Sequence, residues 1–459
     1  MLKPQAMDLS RSGGLYPGYV LALLTLLYTL NFLDRQVINI LAESIKRDLA
    51  ISDTELGLLT GTSFGIFYSL LGIPIARLAD RWSRVGIISF SLFLWSLLTA
   101  ASGLAQNYAQ LFLMRLGVGV GEAGGSPPAQ SLISDYFPYS RRATAMAVFT
   151  LGVPLGSFLG FLIGGIVDDL WGWRAAFLVA GAPGLILVLL IRLTMKEPTR
   201  GQAEGILAPT DTEILPVREA LQGLFARKSF IRLVLGGTFG ILIVYITSAW
   251  LPPFFIRVHG MTAGEIGGWL ALSVGVGGAI GSIGGGWLSD RLRGRGYARP
   301  EIAILTISTA MTCPLLLLTV LSRDVSVALF GLFALNVFAF VWIGPTSATI
   351  QRVSPIRSRS LAVGIQLSVA NIFSLSLGPP VVGYLSDIFA AQHGAESLRY
   401  ALAIASFAAF GGTACYFSAG RHVLGDIEQA DLGHEEARGR ASAPEVERPA
   451  SDTGRNDHA

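Results

Sequence analysis

The 459-residue chain is poor in charge: Asp, Glu, Lys and Arg make up 14% of it, whereas soluble globular domains carry about 25%. This deficit excludes an ordinary soluble enzyme. Lysine is the rarest basic residue, with 4 Lys against 30 Arg, a bias typical of bacteria with GC-rich genomes. The net charge is only +3, and the basic residues flank apolar stretches without forming a basic patch, so we expect no nucleic-acid partner.

Cysteine is nearly absent as well. The two that occur, Cys313 and Cys415, lie in apolar stretches, which excludes a disulfide framework and a cysteine-based metal cluster. The five His include no pair at i,i+4, and neither a Walker loop nor a nucleophile with a base at recognisable spacing is present. We therefore expect no metal, no cofactor and no enzymatic activity.

Long apolar runs dominate the chain, and hydrophobic residues make up 52% of it. Runs near 20 residues are long enough to cross a bilayer as helices. Their bounds at charges, Gly and Pro predict an all-α membrane protein of twelve transmembrane helices, six in each half. The predicted spans are 18–41, 55–76, 86–105, 108–133, 142–167, 174–193, 231–256, 262–288, 301–321, 325–350, 359–386 and 398–419.

The loop charges orient these spans. An even number of spans places both termini on one side, and most Lys and Arg in the loops then gather there. By the positive-inside rule, both termini are cytoplasmic. The other side receives only Lys46, Arg47, Arg174, Arg257, Arg323 and Arg399.

The spans divide the chain into five parts. Residues 1–17 form a cytoplasmic segment without the pattern of a cleaved signal peptide. The helical bundles 18–193 and 231–419 are joined by a polar cytoplasmic linker at 194–230. Residues 420–459 are rich in charge and lack apolar periodicity, which predicts a disordered cytoplasmic tail.

A short motif repeats after the second span of each half. Asp80-Arg81 follows span 2 and Asp290-Arg291 follows span 8, with further basic residues such as Arg84 at similar offsets. Carboxylate–guanidinium pairs at cytoplasmic helix ends can hold that face closed, so these five residues are predicted to form a cytoplasmic gate. The alternative is that the arginines only fix topology.

Two acids and two bases lie inside predicted spans. Span 1 contains Asp34 and Arg35, and span 4 contains Arg115 and Glu122. An ionised group at bilayer depth costs at least about 2.5–3.5 kcal/mol, so four together need a reason. The functional interpretation is a cavity with a proton-coupling acid. The alternatives are a structural ion-pair network or an error in the span boundary at Asp34.

Glycines accompany these charges. Those of span 4 predict that a neighbouring helix, span 1, approaches closely. In span 5, small residues recur every four positions between Gly152 and Gly164. This stripe indicates either a rocking interface between helices or ordinary small-xxx-small packing.

The chain from about 18 to 420 resembles the major facilitator superfamily of secondary transporters. Gly277, Gly286, Asp290 and Arg291 keep the spacing of that family's loop motif, whereas the first copy keeps only its Asp-Arg pair. The glycines and proline of span 5 also resemble a family motif found most often in antiporters. The resemblance implies two six-helix halves that rock about a central site.

Four segments resemble the spinster branch of that family: 30–35, 115–123, 250–255 and 378–387. This resemblance implies a lysophospholipid or sphingoid phosphate as substrate and proton coupling through one acid on helix 1 and one on helix 4. By resemblance Asp34 and Glu122 are the coupling acids, Arg35 contacts the substrate anion, and Arg115 is a partner of Glu122. Both arginines are predicted to bind a phosphate or carboxylate of the substrate through paired hydrogen bonds.

Further polar or amphipathic residues within spans are candidates for lining the substrate cavity. Each has helix packing as its alternative role. They are Asn31, Tyr245, Trp250, Asn336, Gln366 and Asn371.

The predicted function is therefore proton-coupled transport of an anionic amphiphile across a bacterial inner membrane by a monomer embedded in the lipid bilayer. The proton is the coupling ion, and no other cofactor is expected. The alternatives are a transporter or facilitator of a small organic acid, or an uncoupled lipid scramblase.

Overall fold

A computed structural model describes residues 15–200, 217–355 and 358–430. The regular secondary structure of these ranges is helical, and they contain no strand. The first half comprises α1 (Leu15–Ile40), α2 (Ala42–Leu49), α3 (Asp53–Gly57), α4 (Ser63–Arg81), α5 (Arg84–Ser102), α6 (Tyr108–Glu122), α7 (Ser126–Tyr136), α8 (Tyr139–Thr150) and α9 (Gly152–Thr194).

The second half follows a short helix in the predicted linker, α10 (Val217–Phe225). It comprises α11 (Lys228–His259), α12 (Ala263–Leu272), α13 (Gly278–Gly294), α14 (Pro300–Leu321), α15 (Val325–Phe340), α16 (Ile343–Val353), α17 (Arg359–His393), α18 (Ser397–Ser406) and α19 (Ala408–Ala419).

The predicted all-helical membrane fold is confirmed. Eight stretches of the described residues are long and apolar enough to cross a membrane. Two of them, 139–194 and 361–419, each hold two predicted spans, and the remaining two predicted spans are the helices α3–α4 and α6–α7. Spans 5 and 6 run together in α9, where Gly172 has φ 80° and turns the chain.

Both halves interrupt their second span in the same way. A π-helical turn, Leu58–Thr62, joins α3 to α4, and another, Ser273–Gly277, joins α12 to α13. Such turns are rare and occur mostly as local bulges in longer helices. Their matching positions support the predicted repeat of two six-helix units.

The predicted start of the disordered tail, at residue 420, is too early. Residues 423–430 are helical and pack beneath the second half, with Val423 and Ala430 buried. Asp426 accepts a hydrogen bond from the backbone N–H of Ser229 at 2.8 Å, which caps the start of α11. Residues 431–459, like 1–14 and the linker residues 201–216, lie outside the described residues.

The glycines of span 5 pack against α1. A Cβ placed on Gly156 would meet the carbonyl oxygen of Thr29 and lie 2.7 Å from Cβ of Phe32. Gly152 and Gly160 make similar close approaches to α1. The stripe therefore serves packing inside the first half.

The expectation that the span 4 glycines admit α1 is wrong. Gly119 instead approaches Phe64 at the start of α4, and Gly121 approaches Trp95 of α5. The sequence shows where a helix has small side chains that allow close packing, but it does not show which neighbouring helix packs there.

Enlarging Gly156 is expected to separate α1 from α9. We expect Gly156→Ala to destabilise the protein by about 1–3 kcal/mol, the usual cost of overpacking a tight contact. The control is Gly284→Ala in α13, where no atom lies within 4 Å of the added Cβ. Thermal unfolding in detergent compares the two variants, and equal stabilities would contradict the packing described for α1 and α9.

Candidate functional site

A buried ion pair joins α1 to α6 inside the first half. Nε of Arg35 donates a hydrogen bond to Oε2 of Glu122 at 2.8 Å. The Glu122 side chain is fully buried, whereas that of Arg35 is 12% exposed. Glu122 therefore holds Arg35 through Nε, at the part of the guanidinium nearest the backbone.

Three aromatic rings surround the guanidinium of Arg35. Its Cζ lies 4.4 Å from the ring centroid of Tyr68, 4.8 Å from that of Phe64 and 4.9 Å from that of Phe32. Cation–π attraction at this range stabilises a cation that is partly removed from water. The rings also restrict the rotamers of Arg35, so its charge is held in place at the edge of a cavity.

Asp34 lies beside this pair in a different environment. It is 1% exposed, and its Oδ2 accepts a hydrogen bond from the hydroxyl of Thr99 at 3.1 Å. In the described part of the chain, Oδ1 of Asp34 has no hydrogen-bond partner. The two acids thus differ: Glu122 is bonded to a cation and Asp34 to a neutral hydroxyl.

Arg115 completes the cluster. The resemblance implied that Arg115 is a partner of Glu122, but the two residues form no hydrogen bond among the described contacts. Its guanidinium is buried, and within the described ranges its Nε and Nη1 have no protein partner. Buried polar atoms of this kind are usually met by water or a ligand. Two acids and two bases therefore share one apolar site, and their charges balance when all four are ionised.

A cavity between the two halves opens beside the cluster. Arg35 and Arg115 line it from the first half, and Tyr245 lines it from the second. These three residues were predicted from the sequence to contact substrate. The remaining lining residues include apolar and small polar side chains that the sequence argument did not select: Phe32, Gln36, Asn39, Thr60, Phe64, Ser248, Ala249, Leu375 and Pro379.

Several predicted cavity residues make packing contacts. Nε1 of Trp250 donates to the carbonyl oxygen of Pro379 at 2.9 Å, and Nδ2 of Asn336 donates to the carbonyl oxygen of Leu332 in its own helix. Asn371 accepts from the hydroxyl of Tyr245 at 2.9 Å, so it orients a residue that lines the cavity.

Asn31 and Gln366 are also buried, and neither lines the cavity. Nothing in the sequence distinguishes a polar residue that faces a cavity from one that faces a neighbouring helix. A spacing of i,i+4 from Arg35 could have selected Asn39, which lies one turn along the same face of α1.

The predicted cytoplasmic gate residues make contacts inside their own halves. Arg84 is fully buried and forms ion pairs with Asp135 and Glu197. Arg291 lies over the ring of Trp287, with Cζ 5.1 Å from the centroid.

The remaining gate residues are at the surface or outside the description. Arg81 and Asp290 are exposed. The side chain of Asp80 lies outside the part of the chain that the structure describes.

The opposite end of the molecule, which we call the external end, joins the two halves through charges. Arg257 of α11 forms ion pairs with Glu43 of α2 and with Asp53 of α3, the latter at 2.7 Å. Lys46 also pairs with Asp53. Glu43, Lys46, Asp53 and Arg257 together form what we call the external latch.

Proline strengthens the contact between the halves below the latch. Pro380 has no N–H, so the carbonyl oxygen of Ser376, one turn earlier in α17, loses its usual helical donor. The hydroxyl of Thr62 in the other half donates to this oxygen at 2.7 Å. Here Gly61 lies so close to Leu375 that a Cβ could not fit.

The latch is expected to be insensitive to pH in the physiological range. Asp53 lies just before predicted span 2, where burial acts to raise its pKa. Hydrogen bonds and charge from Arg257, with hydrogen bonds from Lys46 and Ser386, outweigh burial and lower that pKa from 3.8 to about 2. Because the pKa is lowered, the stabilisation is fully present above about pH 4 and is lost only as the pH falls through about 2.

We therefore expect that protonation of Asp53 does not open the external end between about pH 5 and about pH 8. Cross-linking of cysteines placed on the two halves at this end measures closure. In the Asp53→Asn variant, which keeps the size of the side chain, closure should weaken at every pH. Closure of Asp53→Asn equal to that of the wild type would contradict the assignment of Asp53.

Comparison with known proteins places this geometry in context. Residues 24–379 match the family described as Major Facilitator Superfamily. An MFS-type efflux pump of Mycolicibacterium smegmatis is 33% identical over 408 residues, which cover 88% of this chain and 92% of that protein. Protein spinster homolog 1 of Homo sapiens is 28% identical, with 93% of this chain and 88% of that protein covered.

A solved structure is similar as well. It is a bacterial homologue of the human lysosomal transporter spinster, in an inward-facing and unoccupied conformation. It is 29% identical and superimposes with a TM-score of 0.81, covering 90% of this chain and 99% of that one.

Proposed function

The chain belongs to the spinster-like branch of the Major Facilitator Superfamily and is a multi-pass membrane transporter, not an enzyme; from this premise we propose that it carries an anionic amphiphile in exchange with, or together with, protons. The proposed substrates are lysophospholipids and sphingoid phosphates, and the proposed location is a bacterial inner membrane. The proposed unit of transport is the monomer.

The observation that carries the proposal is the placement of Arg35. Its guanidinium is fixed by Glu122 at 2.8 Å and by three aromatic rings, and it lies at a cavity between the two halves. Guanidinium groups bind phosphate and carboxylate through paired hydrogen bonds. Arg115 adds a second guanidinium to the same cavity. The cavity therefore suits an anionic headgroup.

The rest of the cavity suits an apolar chain. Phe32, Phe64, Ala249, Leu375 and Pro379 contribute apolar surface to its walls. A ligand with a charged head and a hydrocarbon tail satisfies both parts, whereas a small organic acid leaves this apolar surface uncovered. This asymmetry favours the amphiphile.

We assign the proton to Asp34 and the anchoring of Arg35 to Glu122. Asp34 has a neutral partner in Thr99, so its ionised form is buried without a bonded cation, which is costly. Glu122 is bonded to Arg35, so a substrate anion that binds Arg35 also changes the charge around both acids. Protonation and substrate binding thus act on neighbouring groups and can influence each other.

Alternating access supplies the transport step in this proposal. The described contacts between the halves include the external latch and the Thr62–Ser376 bond, and the similar solved structure is described as inward-facing. In the proposed cycle these contacts part, while the two halves close at the cytoplasmic end.

Competition binding tests the substrate class. The purified transporter in detergent is titrated with a fluorescent lysophosphatidic acid, and unlabelled competitors are then added. We expect an anionic lysophospholipid to displace the probe at least about tenfold better than a monoacylglycerol that lacks the phosphate, because a charge-assisted hydrogen bond contributes about 1.5–3 kcal/mol. Equal displacement by the two lipids would overturn the anionic headgroup.

The same titration separates the alternatives. A short organic acid that displaces the probe as well as the lysolipid would favour a carrier of small acids. The Tyr245→Phe variant, which keeps the ring and loses the hydroxyl that bonds to Asn371, tests whether that hydroxyl contributes to binding.

A further inference from the structure

The fifth transmembrane helix of each half ends in the same motif. In α9, Gly165 stands four residues before Asp169, and in α17, Gly383 stands four residues before Asp387. Neither aspartate belongs to the external latch. Both lie at the external end, where the halves meet.

Each aspartate caps a helix of the opposite half. Asp387 accepts hydrogen bonds from the backbone N–H groups of Asp53 and Thr54 at 3.0 and 2.8 Å, and from the hydroxyl of Thr54 at 2.6 Å. Asp53 and Thr54 are the first two residues of α3. A carboxylate there satisfies backbone donors that have no partner within the helix.

Asp169 repeats this arrangement in the other direction. It accepts from the backbone N–H groups of Ala263 and Gly264 at 3.1 and 2.8 Å, and from the hydroxyl of Thr262 at 2.7 Å. Ala263 and Gly264 are the first two residues of α12, which is the counterpart of α3.

The capped helices share their own start signal. Ser52 with Glu55, and Thr262 with Glu265, form capping boxes that satisfy the third backbone N–H of each helix from within the same half. The first two N–H groups are thereby left to the aspartate of the other half. The local sequence completes only part of each cap, and closure of the external end completes the rest.

The glycines fix the register of both caps. A Cβ on Gly383 would collide with the backbone carbonyl of Asp53, and one on Gly165 would collide with that of Ala263. Each glycine thus meets the first residue of the helix that its aspartate caps. The two contacts match in the glycine, the aspartate and the two capped backbone N–H groups, which points to a common role.

We propose that Asp169 and Asp387 are a matched pair of positioning residues that hold the external end closed, each by capping the second transmembrane helix of the opposite half. Opening to the outside then breaks both caps together. This inference rests on the proposed transport cycle for its functional meaning, but the clamps themselves are a property of the closed end.

Distance measurement between spin labels tests the clamps without substrate. Labels are attached to Ala109→Cys and Arg323→Cys, exposed positions in the two halves, after Cys313→Ala and Cys415→Ala remove the native thiols. We expect Asp169→Ala and Asp387→Ala each to raise the ratio of open to closed molecules about fivefold. Because the sites are separate, the double variant should raise it about 25-fold.

Asp324→Ala is the matched control. Asp324 caps α15 through the N–H groups of Ser326 and Val327 at the same end of the molecule, but within one half. The Asp324→Ala variant loses the same kind of helix cap but no contact between the two halves. The distances between its spin labels should therefore equal those of the wild type. Asp387→Asn, which keeps an acceptor oxygen and loses the charge, should fall between the wild type and Asp387→Ala.

Two results would overturn the proposal. One is a double variant with the distances of the wild type, and the other is an Asp324→Ala variant that opens as far as the double variant. Because neither readout involves a substrate, failure of the clamps is distinguishable from failure of the proposed substrate or proton coupling.

Discussion

Replacing Arg35 with alanine is expected to lower the affinity for an anionic lysophospholipid about 30-fold or more. Arg35 is the cation that is both fixed by an acid and exposed to the cavity. Truncating one partner of a desolvated charge pair costs about 2–5 kcal/mol. Equilibrium binding of the fluorescent lysolipid measures the loss.

The single variant also leaves Glu122 buried without its partner, which destabilises the protein. The double variant Arg35→Ala/Glu122→Gln removes that charge and should regain stability without regaining affinity. Arg35→Lys keeps the charge but loses the planar fork, so we expect an intermediate affinity. Wild-type affinity in Arg35→Ala would contradict the role assigned to this residue.

Replacing Asp34 with asparagine is expected to separate substrate binding from proton exchange. Asparagine keeps the shape of the side chain and can still accept from Thr99, but it cannot take up a proton. The wild type should exchange about one proton for each substrate bound, and Asp34→Asn none, as read by a pH indicator in weakly buffered solution. The affinity for the lysolipid should change less than about threefold.

Glu122→Gln provides the comparison for Asp34→Asn. In that variant Arg35 loses its anionic partner, so we expect the pH dependence of binding to persist while the affinity changes. If Glu122→Gln abolishes proton exchange and Asp34→Asn leaves it intact, the two acids have the opposite roles.

The sequence predicts the fold well because apolar length and loop charge are local properties. All twelve predicted spans correspond to helices of the structure. Boundaries fail where the chain bends without losing hydropathy, as at Gly172. The helix at 423–430 was missed because its order depends on a contact with Ser229, almost 200 residues earlier in the chain.

The sequence predicts which charged residues form the candidate site, but not which of them form ion pairs with each other. Charges inside apolar spans identify Asp34, Arg35, Arg115 and Glu122. The sequence does not show that Glu122 bonds to Arg35 of another helix in preference to Arg115 of its own. Partners of this kind are set by the packing of α1 between its neighbours, which no local pattern encodes.

The external end was missed for a different reason. Two features of this end are visible in the sequence. One is the pair of capping boxes that begin at Ser52 and Thr262. The other is the repeated glycine–aspartate spacing that ends at Asp169 and Asp387. Each resembles an ordinary surface feature when taken alone. Their meaning appears only when the two halves are brought together.

Gradient-driven movement of a lysolipid tests the central claim most directly. Proteoliposomes that contain the purified transporter receive a pH difference of about two units, and albumin extraction reports how much labelled lysolipid lies in the outer leaflet. Coupling to one proton supports up to about a 100-fold asymmetry between leaflets, because each pH unit corresponds to a factor of ten. The account predicts a clear asymmetry that collapses with a proton ionophore. An even distribution in both conditions, with lipid moving freely, would contradict it and indicate a scramblase.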